Sequence, residues 1–133
     1  MLRPAVPADL PGLLAIRAAS GADALSDPAL IAESDLARLI ALCAISVWEE
    51  NGQLEGFAAA DGATIHLLVA STARGKGVGR ALLDAACARA KQAGHAATLS
   101  IPAGGSAERH YRAAGWVEVG TSPTDGLVLK KPF

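Results

Sequence analysis

The chain has 133 residues, enough for one domain with a substantial core, and a single domain over 1–133 is expected. Hydrophobic residues make up 51% of it and aromatic ones only 4%, so the core must be built from Ala, Leu, Val and Ile, and each aromatic side chain merits its own reading. Twelve basic against thirteen acidic residues leave a net charge of −1, which offers no general attraction to nucleic acid or to an anionic membrane, so any basic site has to be local.

The first residues, Met1 to Asp9, lack the long apolar stretch of a signal peptide, and no apolar run approaches the ~18 residues of a membrane span, so a soluble cytoplasmic protein is expected. Met1 to Val6, broken by Pro4, predicts an edge strand, and Pro7-Ala-Asp9 leads into a helix carrying Leu10, Leu13, Leu14 and Arg17. Ala18 to Ala29, rich in Ser, Gly, Asp and Pro, predicts a loop. Ile31, Leu36, Leu39, Ile40 and Cys43 recur at helical steps behind Asp27-Pro28, predicting a second helix over roughly 28 to 43. Three closely spaced antiparallel strands follow: Ile45 to Glu49, Leu54 to Ala60 across an Asn51-Gly52 turn, and Thr64 to Ala70 across Asp61-Gly62.

From Val69 the chain runs through Ala-Ser-Thr-Ala-Arg-Gly-Lys-Gly-Val-Gly-Arg80 into an amphipathic helix that sets Leu82, Leu83, Ala86, Cys87 and Ala90 on one side and stops at Gly94. Gly75, Gly77 and Gly79 remove the side chains that would hold an anion away from the main chain, and the helix start aims free N–H groups and its positive dipole end at the same place. Arg74, Lys76 and Arg80 add positive charge there. This is the arrangement of a phosphate site; a plain strand-to-helix turn that uses glycine for tightness is the bland alternative. The P-loop spacing fails, because Gly75-Lys76 is followed by Gly77 and no hydroxyl is placed for magnesium. The dinucleotide fingerprint fails too, since Arg80 or Leu82 stands where its third glycine belongs. Ala97 to Ile101 predicts a short buried strand, and Pro102 to Gly105 a glycine-rich loop. Ser106 is placed to cap a helix running to Ala114, with Gly115 as its left-handed stop and Trp116 as the apolar residue beyond. Strands Trp116 to Val119 and Leu127 to Leu129 close the order β-α-α-β-β-β-α-β-α-β-β, a mixed α/β architecture with a mostly antiparallel sheet and helices on both faces.

Arg74, Gly77 and Gly79 spell Arg-x-x-Gly-x-Gly after a strand ending in Leu67-Leu68-Val69. Ala107-Glu-Arg-His-Tyr-Arg-Ala-Ala-Gly-Trp116 spells A-x-x-x-Y-x-x-x-G-W. Together they resemble the GNAT superfamily of N-acetyltransferases, with Trp116 where the family has Phe. The opening Arg3-Pro-Ala-Val-Pro-Ala-Asp9 is similar as well, and the resemblance covers most of the chain. It implies the GNAT fold and transfer of an acetyl group from acetyl-CoA, as cosubstrate, to a primary amine. It further implies phosphate binding by Arg74, Gly75, Lys76, Gly77, Val78, Gly79 and Arg80, and pairing of the Leu67, Leu68 and Val69 backbone with the pantetheine amides. Tyr111 falls at the residue that commonly protonates the departing thiolate. An Asn frequent seven residues before that Tyr is Gly104 here, which puts that one contact in doubt.

A phenol is a reasonable acid for a thiol of pKa near ~8.5; Tyr111 also shares a helix face with Ala107 and Ala114, and a core aromatic is its alternative reading. The family often places a carboxylate base on or near the central strand, and none lies between Ala63 and Ala73. His66, on the alternation opposite Ile65, Leu67 and Val69, is the candidate base, with a hydrogen-bonded structural histidine as its alternative. His66, His95 and His110 have no metal-ligand spacing, and no metal is expected. Cys43 and Cys87 read as buried free thiols. Trp48 and the loop from Ala18 to Ala29 are weak candidates for shaping an acceptor pocket. An acyl-CoA-binding module without catalysis, suggested by the absent carboxylate and by Gly104, is the alternative function, and a small partner-binding domain the third. The acceptor, whether a small molecule or a peptide amine, is not fixed by these residues, and a homodimer is left open.

Overall fold

The structure is a computed structural model that describes residues 1–21, 24–103 and 106–131. Gly104, the position that departs from the family pattern, lies outside the described residues, as does part of the loop from Ala18 to Ala29.

β1 (Leu2–Pro4) is followed by a 3-10 turn at Pro7–Asp9 and by α1 (Leu10–Ala19). The single helix expected over 28 to 43 is instead a 3-10 turn, Pro28–Leu30, and a separate α2 (Glu33–Ala41). Two local bonds cause the break. The Asp27 carboxylate accepts from the Ala29 N–H at 3.0 Å and closes a tight turn over Pro28, while the Asp35 carboxylate accepts from the Ala32 N–H at 2.8 Å and starts α2 afresh. β2 (Ile45–Glu50), β3 (Gln53–Asp61) and β4 (Thr64–Val69) form the expected meander. α3 (Val78–Gln92), β5 (Thr98–Ile101), α4 (Ala107–Ala113), β6 (Val117–Thr121) and β7 (Leu127–Lys130) complete the chain. Ser106 stands before α4 but its side chain makes no cap bond. Gly115 at φ 94° ends α4 as expected, with the Trp116 N–H bonded back to the Tyr111 carbonyl at 3.0 Å.

The seven strands form one sheet in the order β1-β2-β3-β4-β5-β7-β6. β4 and β5 run parallel and the other neighbouring pairs antiparallel. The parallel pair meets in register only at Thr64 and Thr98. Beyond that point the two strands share no further ladder pair, and a wedge lies between them.

Side chains alternate across β4 and so divide the core in two. Ile65, Leu67 and Val69 pack with Leu82, Ala86 and Ala90 of α3 and with Tyr111 and Trp116. Leu68 packs on the other face with Phe57, Leu13 and Ile16 of α1 and Leu36 and Leu39 of α2. Each fully buried Leu, Ile or Phe here contributes about 1.5–3 kcal/mol of transfer free energy. Gly56 lets α3 settle close on the sheet, since a Cβ there would stand 3.0 Å from both the Leu82 Cδ1 and the Leu68 carbonyl oxygen. Cys87 is buried, but Cys43 is exposed, contrary to expectation: it sits just past α2 at φ 56°, where the chain turns out of the helix.

Candidate active site

Strand bonding decides which main-chain groups of β4 face the wedge. The Ala70 N–H donates to the Glu55 carbonyl at 2.8 Å on the β3 side. Alternation then turns the backbone of Leu68 and His66 to β3 as well, and that of Val69 and Leu67 toward β5. Of the three residues expected to offer free backbone, Leu68 is therefore already committed within the sheet, and Leu67 and Val69 line the wedge.

At the C-terminal end of β4 a 3-10 turn, Ser71–Ala73, leads into the glycine loop. Gly75 (φ 79°) and Gly77 (φ 81°) are both left-handed, and a Cβ at either would meet open space. These two glycines serve the backbone path, which leaves the N–H groups at the start of α3 uncovered. Gly79 instead makes room for its neighbours, because a Cβ there would lie 3.2 Å from the Leu25 Cδ1 and 3.6 Å from the Val69 Cγ2. Val78 is buried beneath the loop, while the side chains of Arg74, Lys76 and Arg80 reach the surface around it. The Arg74 Nε approaches the Val69 carbonyl at 3.5 Å.

A cleft of about 800 Å³ runs from this loop into the wedge. Arg74, Gly75, Gly77, Gly79 and Arg80 line it from the loop, Leu67 and Val69 from β4, and Tyr111, Cys87, Trp116 and Lys131 line it as well. Tyr111 is almost fully buried, its ring 5.4 Å from that of Trp116 and 5.3 Å from that of His110, and its hydroxyl donates to the Leu25 carbonyl at 2.8 Å. Burial pushes its pKa well above the usual phenol value, with Arg74 pulling the other way, so the group stays protonated at neutral pH. The two readings of Tyr111, core aromatic and cleft hydroxyl, thus coexist in one side chain.

His66 does not join it. Alternation puts the imidazole on the α1 and α2 face, where the charged groups around it are Asp61, Asp35 and Arg38, and the sheet separates it from the Tyr111 cleft. Desolvation lowers its pKa, so it is neutral near pH 7, yet its placement corrects the expectation that it takes a proton from an amine beside Tyr111. His110 edges Tyr111 at the surface and His95 is exposed. Trp48 packs against the α3 side of the core and does not line the cleft, its Nε1 donating to Glu50 at 3.1 Å. Among the described residues no group of three or more His, Cys, Asp or Glu side chains converges as a metal-ligand set, and no helix is long and apolar enough to cross a membrane.

Sequence reasoning missed Ser26 and Asp27. Both are buried, at 2% and 6% exposure, in what reads as a polar loop. The Leu67 N–H donates to the Ser26 Oγ at 2.8 Å, and that hydroxyl donates to the Leu67 carbonyl at 3.1 Å. The Asp27 N–H reaches across to the Ser100 carbonyl of β5 at 2.7 Å, and its carboxylate accepts from the Thr124 hydroxyl. Asp27-Pro28 signals a cap, and nothing local signals where that cap is anchored.

The family model of the acetyltransferase (GNAT) domain matches residues 42–127, well over half the chain and including the whole glycine loop and the Tyr111 helix. The chain belongs to the GNAT acetyltransferase family. Solved structures agree with this acetyltransferase fold across nearly the full length. A ribosomal-protein-alanine N-acetyltransferase from Brucella melitensis is 26% identical with a TM-score of 0.69, over 98% of this chain and 96% of that one. An N-acetyltransferase from Staphylococcus aureus Mu50 is 24% identical at a TM-score of 0.68, over 98% and 94%. A PaiA N-acetyltransferase from Thermoplasma acidophilum, solved in complex with coenzyme A, is 15% identical and shares the fold at a TM-score of 0.76, over 100% and 98%. No curated protein matches the sequence.

Proposed function

We propose that this GNAT acetyltransferase moves an acetyl group directly from acetyl-CoA to a primary amine. One observation carries the reading: the left-handed glycine loop, the wedge-facing residues Leu67 and Val69 and the Tyr111 side chain border a single cleft. Those residues suit the donor part by part. The start of α3 with Arg74, Lys76 and Arg80 suits phosphates, the edge of β4 suits an amide-bearing arm laid along it as an added strand, and the region of the Tyr111 hydroxyl suits a thioester. The solved PaiA relative with coenzyme A bound supports a CoA-type cosubstrate.

In this reading the amine, having lost its proton to water, attacks the thioester carbonyl carbon. A wedge-facing main-chain N–H of β4 receives the developing oxyanion. As the carbon–sulfur bond breaks, the sulfur takes the electron pair while the Tyr111 hydroxyl donates a hydrogen bond to it, and the attacking nitrogen gives up its remaining excess proton, through water, to the departing thiolate. A raised phenol pKa makes Tyr111 a weak acid but a dependable hydrogen-bond donor, because it never ionises before the sulfur does. His66 is left to the packing of the opposite face. Given the likeness to a ribosomal-protein-alanine N-acetyltransferase, peptide N-termini come first in an acceptor screen, with small-molecule amines beside them.

Tyr111→Phe tests the assignment. Release of free CoA thiol across an amine panel should fall about 10²- to 10⁴-fold in turnover, the usual weight of a positioned acid, with acetyl-CoA affinity nearly unchanged. An unchanged turnover number removes Tyr111 as the acid. The separation of His66 from the cleft favours a second reading, a module that holds acyl-CoA without transfer. Tight acetyl-CoA binding with no CoA release on any amine would select it.

A further inference from the structure

Three consecutive residues, lying between α1 and α2 in sequence, bond across the wedge, and two of them hold groups that the proposed reaction needs. The Leu25 carbonyl holds the Tyr111 hydroxyl at 2.8 Å, and the Ser26 hydroxyl holds both the N–H and the carbonyl of Leu67 at 2.8 and 3.1 Å. The Asp27 N–H holds the Ser100 carbonyl at 2.7 Å. The segment therefore spans the wedge from the β4 lip to the β5 lip. Its leucine side chain rests over Gly79 at the start of α3. It is fastened from the far side, where the Asp27 carboxylate accepts from Thr124 on the turn between β6 and β7.

We propose that Leu25–Ser26–Asp27 is an autoinhibitory strap, closed over the wedge in the free protein and displaced when the acyl donor adds along β4. The proposal rests on the acyl-donor reading of the cleft. The chemistry of the exchange is even-handed. A hydroxyl that both accepts and donates against Leu67 offers the pair of bonds that two successive amides of the donor arm would offer along a strand edge, one accepting from the N–H and the other donating to the carbonyl, so the exchange leaves neither group of Leu67 unpaired. Displacement costs the strap its own bonds, and apparent donor affinity falls by the fraction of molecules whose strap is open. Because the strap is also the link between α1 and α2, its release frees Tyr111 and moves that link in the same step. Donor binding thus frees the Tyr111 hydroxyl for the reaction.

The test uses the intact chain. Ser26→Ala removes both bonds to Leu67, and Thr124→Val unfastens Asp27 without touching the cleft. Each should tighten acetyl-CoA binding, measured by calorimetry, by about three- to tenfold, the worth of one or two net hydrogen bonds. Acetyl-CoA should speed amide hydrogen exchange at Asp27 while slowing it across residues 75–80. Binding that appears in the variants and not in the wild type also supports the strap. Binding that protects residues 75–80 but leaves Asp27 exchange unchanged, with neither variant tighter, overturns the strap and leaves the donor site standing. No binding by wild type or variants overturns both. Circular dichroism establishes that each variant is folded; if Ser26→Ala is not, Thr124→Val and the wild-type exchange data decide.

Discussion

Gly77→Ala separates the backbone role of the glycine loop from its ligand role. Gly77 has φ 81°, and an added Cβ would meet nothing within 4 Å, so no clash enters and the cost is conformational. A left-handed L-residue costs roughly 1–2 kcal/mol, and the reduced entropy of the unfolded chain returns about 0.4–1 kcal/mol. The net loss is then about 0.5–1.5 kcal/mol, a fall of a few degrees in the unfolding midpoint for a domain of this size. Gly77→Asn costs less, because Asn tolerates the left-handed region. Position 77 immediately precedes the first residue of α3, and losing one charge-assisted bond to a phosphate there weakens binding by about 10- to 100-fold. Thermal unfolding with and without acetyl-CoA reads both effects. At a hundredfold excess over Kd the ligand adds about 2.7 kcal/mol to the wild type, and at the same concentration the increment should fall to about 0.4–1.4 kcal/mol in both variants. A Gly77→Asn protein with the full wild-type increment would refute the anion role of the loop.

Stability should fall as pH drops below about 6.5, because burial lowers the folded-state pKa of His66 while the unfolded chain binds its proton near the ordinary value. Below that pH folding must expel the proton; above it the contribution is complete. Midpoints for His66→Gln should flatten between pH 7 and 5, and an undiminished slope would assign the effect to other groups. Gly126→Ala should be among the most damaging single changes, since its Cβ would lie 2.0 Å from the Ile101 carbonyl oxygen, a clash with backbone that moves the turn between β6 and β7. A loss of about 1–3 kcal/mol is expected in denaturant unfolding, and a loss below about 0.5 kcal/mol would mean the turn shifts freely.

The parts legible in the sequence are those fixed within a few residues. Asn51-Gly52 makes its turn with φ 52° and 78°, and Gly75 and Gly77 take the left-handed path that an anion loop needs. Gly115 stops α4 and seats Trp116 in the core for the same local reason. The helix over 28 to 43 failed because its period was right and its interruption was not periodic: two carboxylates, Asp27 and Asp35, each took a backbone N–H and divided the segment. Cys43 carried an apolar neighbourhood in sequence, but one left-handed residue at the helix end turned it outward.

The site was legible by halves for a related reason. Alternation along β4 told that His66 opposes Leu67 and Val69, but not which face would receive the Tyr111 helix, because that depends on how the crossovers through α3 and α4 pack. Ser26 meets Leu67 across 41 residues of chain, Tyr111 meets Leu25 across 86, and Thr124 meets Asp27 across 97. No window of sequence contains those pairs, and a Ser-Asp-Pro run reads as ordinary turn chemistry wherever it occurs. What makes the run specific is the divergence of β4 from β5 after Thr64 and Thr98, which leaves strand edges that must be satisfied. In the free chain the nearest polar segment satisfies them, and a ligand able to offer the same bonds along the β4 edge can take its place. The physics that requires buried main-chain groups to be paired therefore both closes the wedge and selects what can open it.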